Sequence, residues 1–166
     1  MKKIFLSLTA FFSTTIASAQ TDSIKPNEEH EHVHPLFEIG FSTAAVYLVA
    51  EKETTVGFHT HFTTNISHRL PFITGIAYEY IIDEHQHHSL GLVFGWNPFH
   101  EFVFSVSPGL TTNLGNFVFA AHAEISYAFE IGKIHLGPSL EYAYSLNDSH
   151  ISFGLHIGVS VNKRRG

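Results

Sequence analysis

The run at residues 116–129, N-F-V-F-A-A-H-A-E-I-S-Y-A-F, limits what this chain can become more than any other stretch. Taken at every second residue, it gives Phe117, Phe119, Ala121, Ala123, Ile125, Tyr127 and Phe129 as one set. Asn116, Val118, Ala120, His122, Glu124, Ser126 and Ala128 form the other. A β-strand sends alternate side chains to opposite faces, so this is a ribbon with one wholly apolar face and one small or polar face. It outruns the ~5–6 residues usual in a soluble domain. It meets the ~9–11 needed to cross a bilayer obliquely. The run reads as one stave of a transmembrane β-barrel.

Eight alternating segments fall at residues 36–50, 54–67, 72–83, 88–97, 101–113, 116–130, 133–146 and 150–162. Gly, Pro, Asn and Asp mark most of the brief connections between them, for reasons of turn geometry. Short connections throughout predict an all-β, eight-stranded antiparallel up-and-down transmembrane β-barrel, in which closure removes exposed strand edges.

One face collects large apolar residues such as Phe41, Ile76, Phe94, Phe104, Phe153 and Leu155. The other is rich in Gly, Ser and Ala with scattered Glu and His. A soluble barrel or sandwich would turn the apolar face inward and carry Lys and Arg outside. Here all nine Lys and Arg fall in the N-terminal region, in connections, at a strand start or at the C-terminus. An apolar belt facing lipid, with cations kept to its ends, accounts for that distribution. Small residues suit the narrow interior of an eight-stranded barrel.

The chain opens with Lys2 and Lys3, an apolar stretch and Ala17-Ser18-Ala19, the pattern of a secretory signal peptide over residues 1–19. Residues 20–35 lack apolar periodicity and read as a flexible His/Glu-rich leader. The barrel is expected over 36–162 and a basic tail over 163–166. The chain has no cysteine, which excludes a disulfide scaffold and a thiolate metal site. A net charge of −6 gives no footprint for nucleic acid. The partners expected are outer-membrane lipid, periplasmic chaperones and the barrel-assembly machinery.

By parity the interior holds Glu38, Glu79, Glu101, Glu124 and Glu141 with His59, His61, His122, His135 and His156. Uncompensated carboxylates in a narrow lumen are costly. Protonated Glu, protonated His or a bound cation would relieve them. The first reading is a polar plug that fills and stiffens the barrel. The second is a site or path for a divalent metal such as zinc, for which His nitrogen and Glu oxygen are suitable donors. Depth counted from strand ends brings His61, Glu79, His122, Glu124, Glu141 and His156 to similar levels. A second metal candidate is the leader triplet His30, His32 and His34, and the plainer reading there is a solvated acidic leader. The cluster at residues 83–88 reads as an exposed turn first and a metal-binding surface second.

No catalytic residues are assigned. The pairs His87/Ser89 and His150/Ser152 place a His and a Ser on one strand face, as a lipid-modifying outer-membrane hydrolase would need. The residues of a deacylase motif do not follow them. An enzyme is not expected.

Three stretches carry a family likeness: residues 79–92, Ser107-Pro108-Gly109-Leu110 and residues 129–141. Together they resemble the small outer-membrane β-barrel proteins of Bacteroidota-type bacteria, related in architecture to OmpA-like and OmpW-like barrels. The resemblance implies an outer-membrane location and an eight-stranded barrel, and it supplies no catalytic residues. One departure is the C-terminus. Many such barrels end in an aromatic residue used in assembly, whereas this chain ends in Lys163-Arg164-Arg165-Gly166. The role expected is structural or envelope-associated, with divalent cation binding or passage as the alternative and lipid modification as a second one.

Overall fold

The computed structural model describes residues 37–67, 70–84, 87–99, 101–113, 115–146 and 148–161. The expected signal peptide, the expected leader with His30, His32 and His34, and the basic tail lie outside the described residues. The strands are β1 (Phe37–Leu48), β2 (Glu53–Ser67), β3 (Leu70–Ile82), β4 (His88–Phe99) and β5 (Phe102–Asn113). They continue with β6 (Asn116–Tyr127), β7 (Phe129–Ile131), β8 (Ile134–Ser145) and β9 (Ser149–Val161).

All neighbours pair antiparallel, and β1 pairs with both β2 and β9. The ring closes because β6 and then β7 pair with β8. Ser126 lies opposite Ser139 and Phe129 opposite Leu136, so β7 continues β6 past Ala128 without a register slip. Eight staves therefore form one closed antiparallel barrel. Twelve-residue strands such as β1 are about 40 Å long at ~3.3 Å per residue. Tilted by ~45°, they stand nearly as tall as the ~30 Å hydrocarbon core of a bilayer.

Two strands run further than the sequence pattern suggested. The sequence placed turns at Pro71 and at Pro98, yet β3 begins at Leu70 and β4 continues to Phe99. The register shifts between Asn65 and Ser67 opposite the first proline and between Trp96 and Phe99 beside the second. Proline has no N–H for the ladder, and a bulge absorbs the missing bond while the strand goes on. Both irregularities fall at the end where β1 starts and β9 stops, here the termini end. The opposite end is the distal end.

The two faces separate as the alternation requires. Phe104, Phe119 and Phe153 are exposed, at 40%, 51% and 64%, while Glu79 is 5% exposed. Phe102, Tyr127 and Phe129 form an edge-to-face aromatic row at the termini end, each step 4.8 Å between ring centres. Tyr47 and Tyr144 are exposed toward the distal end. Inside, Val46, Leu48 and Ile81 pack into a fully buried apolar cluster at the distal end. Gly57 stands between Val46 and Ile81, and a side chain there would overlap Val46.

Distal turns are short and tied together. Val49 N–H donates to Ser149 O at 2.9 Å, and Ala50 N–H approaches Asp148 Oδ1 at 3.4 Å. Asp148 also accepts from Ser149 N–H at 2.6 Å, so one carboxylate anchors both the β8–β9 and β1–β2 connections. At the termini end, β7 and β8 join through Gly132 and Lys133, with Gly132 at φ 69°. Glycine takes that left-handed conformation without steric cost. Replacing Gly132 with Ala should lower unfolding free energy by about 1 kcal/mol. Gly132→Asn should cost less, as equilibrium urea unfolding in lipid vesicles would measure.

Candidate functional site: a Glu/His interior

Each inward residue on a barrel strand faces its counterparts across a narrow lumen, so positions far apart in sequence meet. Four glutamates point inward: Glu38 from β1, Glu79 from β3, Glu124 from β6 and Glu141 from β8. Among the described residues, the only Lys and Arg are Lys52 and Lys133, and both are exposed in turns. Imidazoles are therefore the cationic partners available to these carboxylates. The fifth glutamate expected inside, Glu101, is exposed in the β4–β5 turn. Continuation of β4 through Phe99 moves the turn onto it, just ahead of the start of β5 at Phe102, although its carbonyl still accepts from Ala128 N–H at 2.8 Å.

The inward groups form three clusters stacked along the barrel. The distal one joins Glu79, His122, Glu141 and His150. His150 Nε2 lies 3.2 Å from Glu79 Oε1 and 3.8 Å from Glu141 Oε1. His122 Nδ1 lies 3.3 Å from Glu141 Oε1 and 3.7 Å from Glu79 Oε2. The shorter approach of each ring is a hydrogen bond, and those at 3.7 and 3.8 Å are too long to be one. Glu79 Oε2 is left buried without a hydrogen-bond partner. The middle cluster is His59 with Glu124 and Glu141, at 3.6 and 3.7 Å from His59 Nδ1. Glu141 belongs to both clusters.

The third cluster, nearest the termini end, is Glu38 with His61 and His156, at 3.6 and 3.7 Å from Glu38 Oε1. The two imidazoles stack with ring centres 5.0 Å apart and planes within 7°. Gly40 makes room for them, since a Cβ there would overlap both rings. Ser42 Oγ lies 3.2 Å from His156 Nδ1, and His135 Nε2 lies 2.6 Å from Ser160 Oγ. This cluster and His59, Glu124 and His135 line a cavity of about 380 Å³ toward the termini end. On the distal side, beside Ile81 and His150, the free space is about 20 Å³.

The six interior residues placed by the sequence at similar depth, of which three or four were expected to converge, are thus inside, divided among the three clusters. Glu79, His122 and Glu141 meet distally, Glu124 and Glu141 meet in the middle, and His61 and His156 meet nearer the termini end. His150 was missed. It shares its parity with Ser152, Gly154 and His156, and that alternation was the signal available. Its position at a strand start hid it, because a residue counted as an end is not expected to reach a lumen. Of the segment at 83–88, read as an exposed turn, His87 and His88 differ from that expectation. His87 is buried and paired with Asp83, and its N–H donates to Asp83 Oδ1 at 3.2 Å. His88 faces outward, stacked on Tyr80 at 4.8 Å, with its Nδ1 2.7 Å from Tyr78 Oη.

No protein-family model matches the chain, and no curated protein matches it. Solved structures do. A de novo designed transmembrane β-barrel is 14% identical, covering 76% of this chain and 98% of its own, at a TM-score of 0.55. A second de novo design, TMB2.3, is 14% identical over 77% of this chain and 95% of its own, at 0.51. Neisserial surface protein A is 11% identical over 75% of this chain and 97% of its own, also at 0.51. At these identities the likeness is one of fold: a closed, all-β, eight-stranded antiparallel barrel of the outer-membrane type.

Glu141 neighbours three imidazoles and is 6% exposed, whereas the Glu38 side chain is 22% exposed beside the cavity. Removing one partner of a buried charged pair typically costs about 3–5 kcal/mol. Glu141→Ala should therefore destabilise the barrel by about 3 kcal/mol or more, and Glu38→Ala by clearly less. Urea midpoints of the two variants, measured side by side in the same lipid, check the order.

Proposed function

We propose that the chain is an outer-membrane barrel with a structural, envelope-associated role, its interior filled and stiffened by the Glu/His network. The observation that carries this reading is the inversion of its two faces. A soluble protein rarely exposes a contiguous apolar patch beyond a few hundred Å². Here Ile39, Ile76, Leu92, Val106, Leu140 and Leu155 are each exposed by 46–55%, on six different strands around the closed sheet. The carboxylates and imidazoles stand on the other face. Water would penalise both arrangements, and acyl chains outside with polar groups inside satisfy both.

The interior supports a filled barrel rather than a conduit. Val46, Leu48 and Ile81 stand buried against one another beyond the Glu/His clusters. Short distal connections offer no large surface for a receptor or adhesin. His87, Ser89, His150 and Ser152 are all buried inward residues, so neither His/Ser pair presents its serine to a lipid acyl chain. The partners that follow from this reading are outer-membrane lipid, periplasmic chaperones and the barrel-assembly machinery.

Expressed in a Gram-negative host, the chain should fractionate with the outer membrane and migrate as a compact, heat-modifiable band. Leu155, central in β9, is the sharper probe. Leu155→Arg should cost about 2–4 kcal/mol in lipid vesicles, and Ile131→Arg at the termini-end turn about 0–1. Equal, small costs at both positions would mean that the belt faces water and would refute the proposal. In planar bilayers the folded chain should show no unitary conductance. Steady ion-selective steps would replace the structural role with passage.

A further inference from the structure

We propose that Glu79, His122, Glu141 and His150 form a closed four-ligand site for a divalent cation of the zinc class. The site lies in the distal interior and is separate from the termini-end cavity. This rests on the barrel reading, because only a sealed lumen keeps these groups away from water.

The first support is spacing. Zinc bonds to imidazole nitrogen and carboxylate oxygen are ~2.0–2.1 Å, which sets tetrahedral donors about 3.3 Å apart. Glu141 Oε1 lies 3.3 Å from His122 Nδ1 and 3.8 Å from His150 Nε2, while Glu79 reaches His150 through Oε1 at 3.2 Å and His122 through Oε2 at 3.7 Å. One ligand atom from each residue lies within 4.8 Å of every other. Two of these separations are too long for hydrogen bonds yet close to the edge of such a tetrahedron.

The second is an independent observation. Glu79 is 95% buried by its 5% exposure, and its Oε2 lacks a hydrogen-bond partner while lying 3.7 Å from His122 Nδ1. A buried carboxylate oxygen without a donor is costly, and a metal bond would satisfy it. The third is charge. Two carboxylates and one divalent cation sum to zero with both imidazoles neutral, the state in which a ring nitrogen can bind metal. Without a cation, that balance falls to protonated rings or protonated carboxylates, with the two ring centres 6.0 Å apart.

The donor set selects the cation class. Two nitrogens and two oxygens at tetrahedral spacing suit zinc, and calcium or magnesium would want six or more oxygens. Four protein ligands close the shell and leave no position for substrate, the arrangement of a structural metal. The other two clusters have three residues each and lie along the cavity. They are not assigned a metal here.

The test uses the full chain without an affinity tag, folded in lipid vesicles, loaded with zinc chloride and freed of excess metal. Zinc is then measured by plasma mass spectrometry, and heat-modifiable migration reports folding separately. About one zinc per chain should remain. It should survive in His156→Gln and in a triple His30→Ala, His32→Ala, His34→Ala variant. Affinity should fall by more than about tenfold in Glu79→Gln and in His150→Gln. X-ray absorption of the bound zinc should show four nitrogen or oxygen donors including two imidazoles, which holds the test in place should either variant misfold. A folded chain that carries no zinc overturns the site and leaves the barrel standing. So does zinc that persists in both Glu79→Gln and His150→Gln, or that disappears with the leader histidines. A chain that fails to insert into lipid overturns the barrel reading, and the site falls with it.

Discussion

A carboxylate removed from water must have positive charge or hydrogen donors beside it, and this barrel supplies neither lysine nor arginine inside the described lumen. Glu38, Glu79, Glu124 and Glu141 face imidazoles instead. That one restriction organises the interior. It explains why the histidines sit at matched depth with the glutamates. It explains why glycine lies beside the stacked pair of rings at Gly40. It also explains why the groups gather in clusters rather than spread along the wall. The effective penalty for burying one ion is several kcal/mol, and sharing one carboxylate among three rings reduces the number of such ions. Glu141 and Glu38 are such shared groups.

The outer face obeys the complementary restriction. Closure satisfies the backbone, since every stave pairs on both sides and no edge is left. Side chains then need only suit their surroundings. Aromatic rows at the termini end and tyrosines toward the distal end mark the two levels where an apolar belt gives way to a wetter region. Brief distal connections, locked by Asp148, add rigidity and little else.

Period-two alternation made the fold legible because the two faces of this chain differ so sharply. Residues 116–129 alone separated Phe from Glu and His, and the structure keeps that separation. What the sequence concealed was geometry across the lumen. Alternation tells which way a residue points, and says little about what it meets on the far wall. Six interior candidates were therefore placed at similar depth, whereas strand tilt and stagger divide them into levels. Glu101 was misread because Pro98 looked like a turn and proved to be a bulge, which displaced the real turn by a few residues. His150 went unnoticed as a strand's first residue, although its long ring reaches a glutamate two strands further round than its own partners. The leader histidines fall outside the described residues.

Val46, Leu48 and Ile81 give the molecule one more property. With an oily stopper at one end and a roomy hollow toward the other, the interior resembles a thimble more than a tube. The wider approach to the imidazoles and carboxylates is the mouth beside Glu38 and His135. The barrel would then equilibrate mainly with the compartment at its open end.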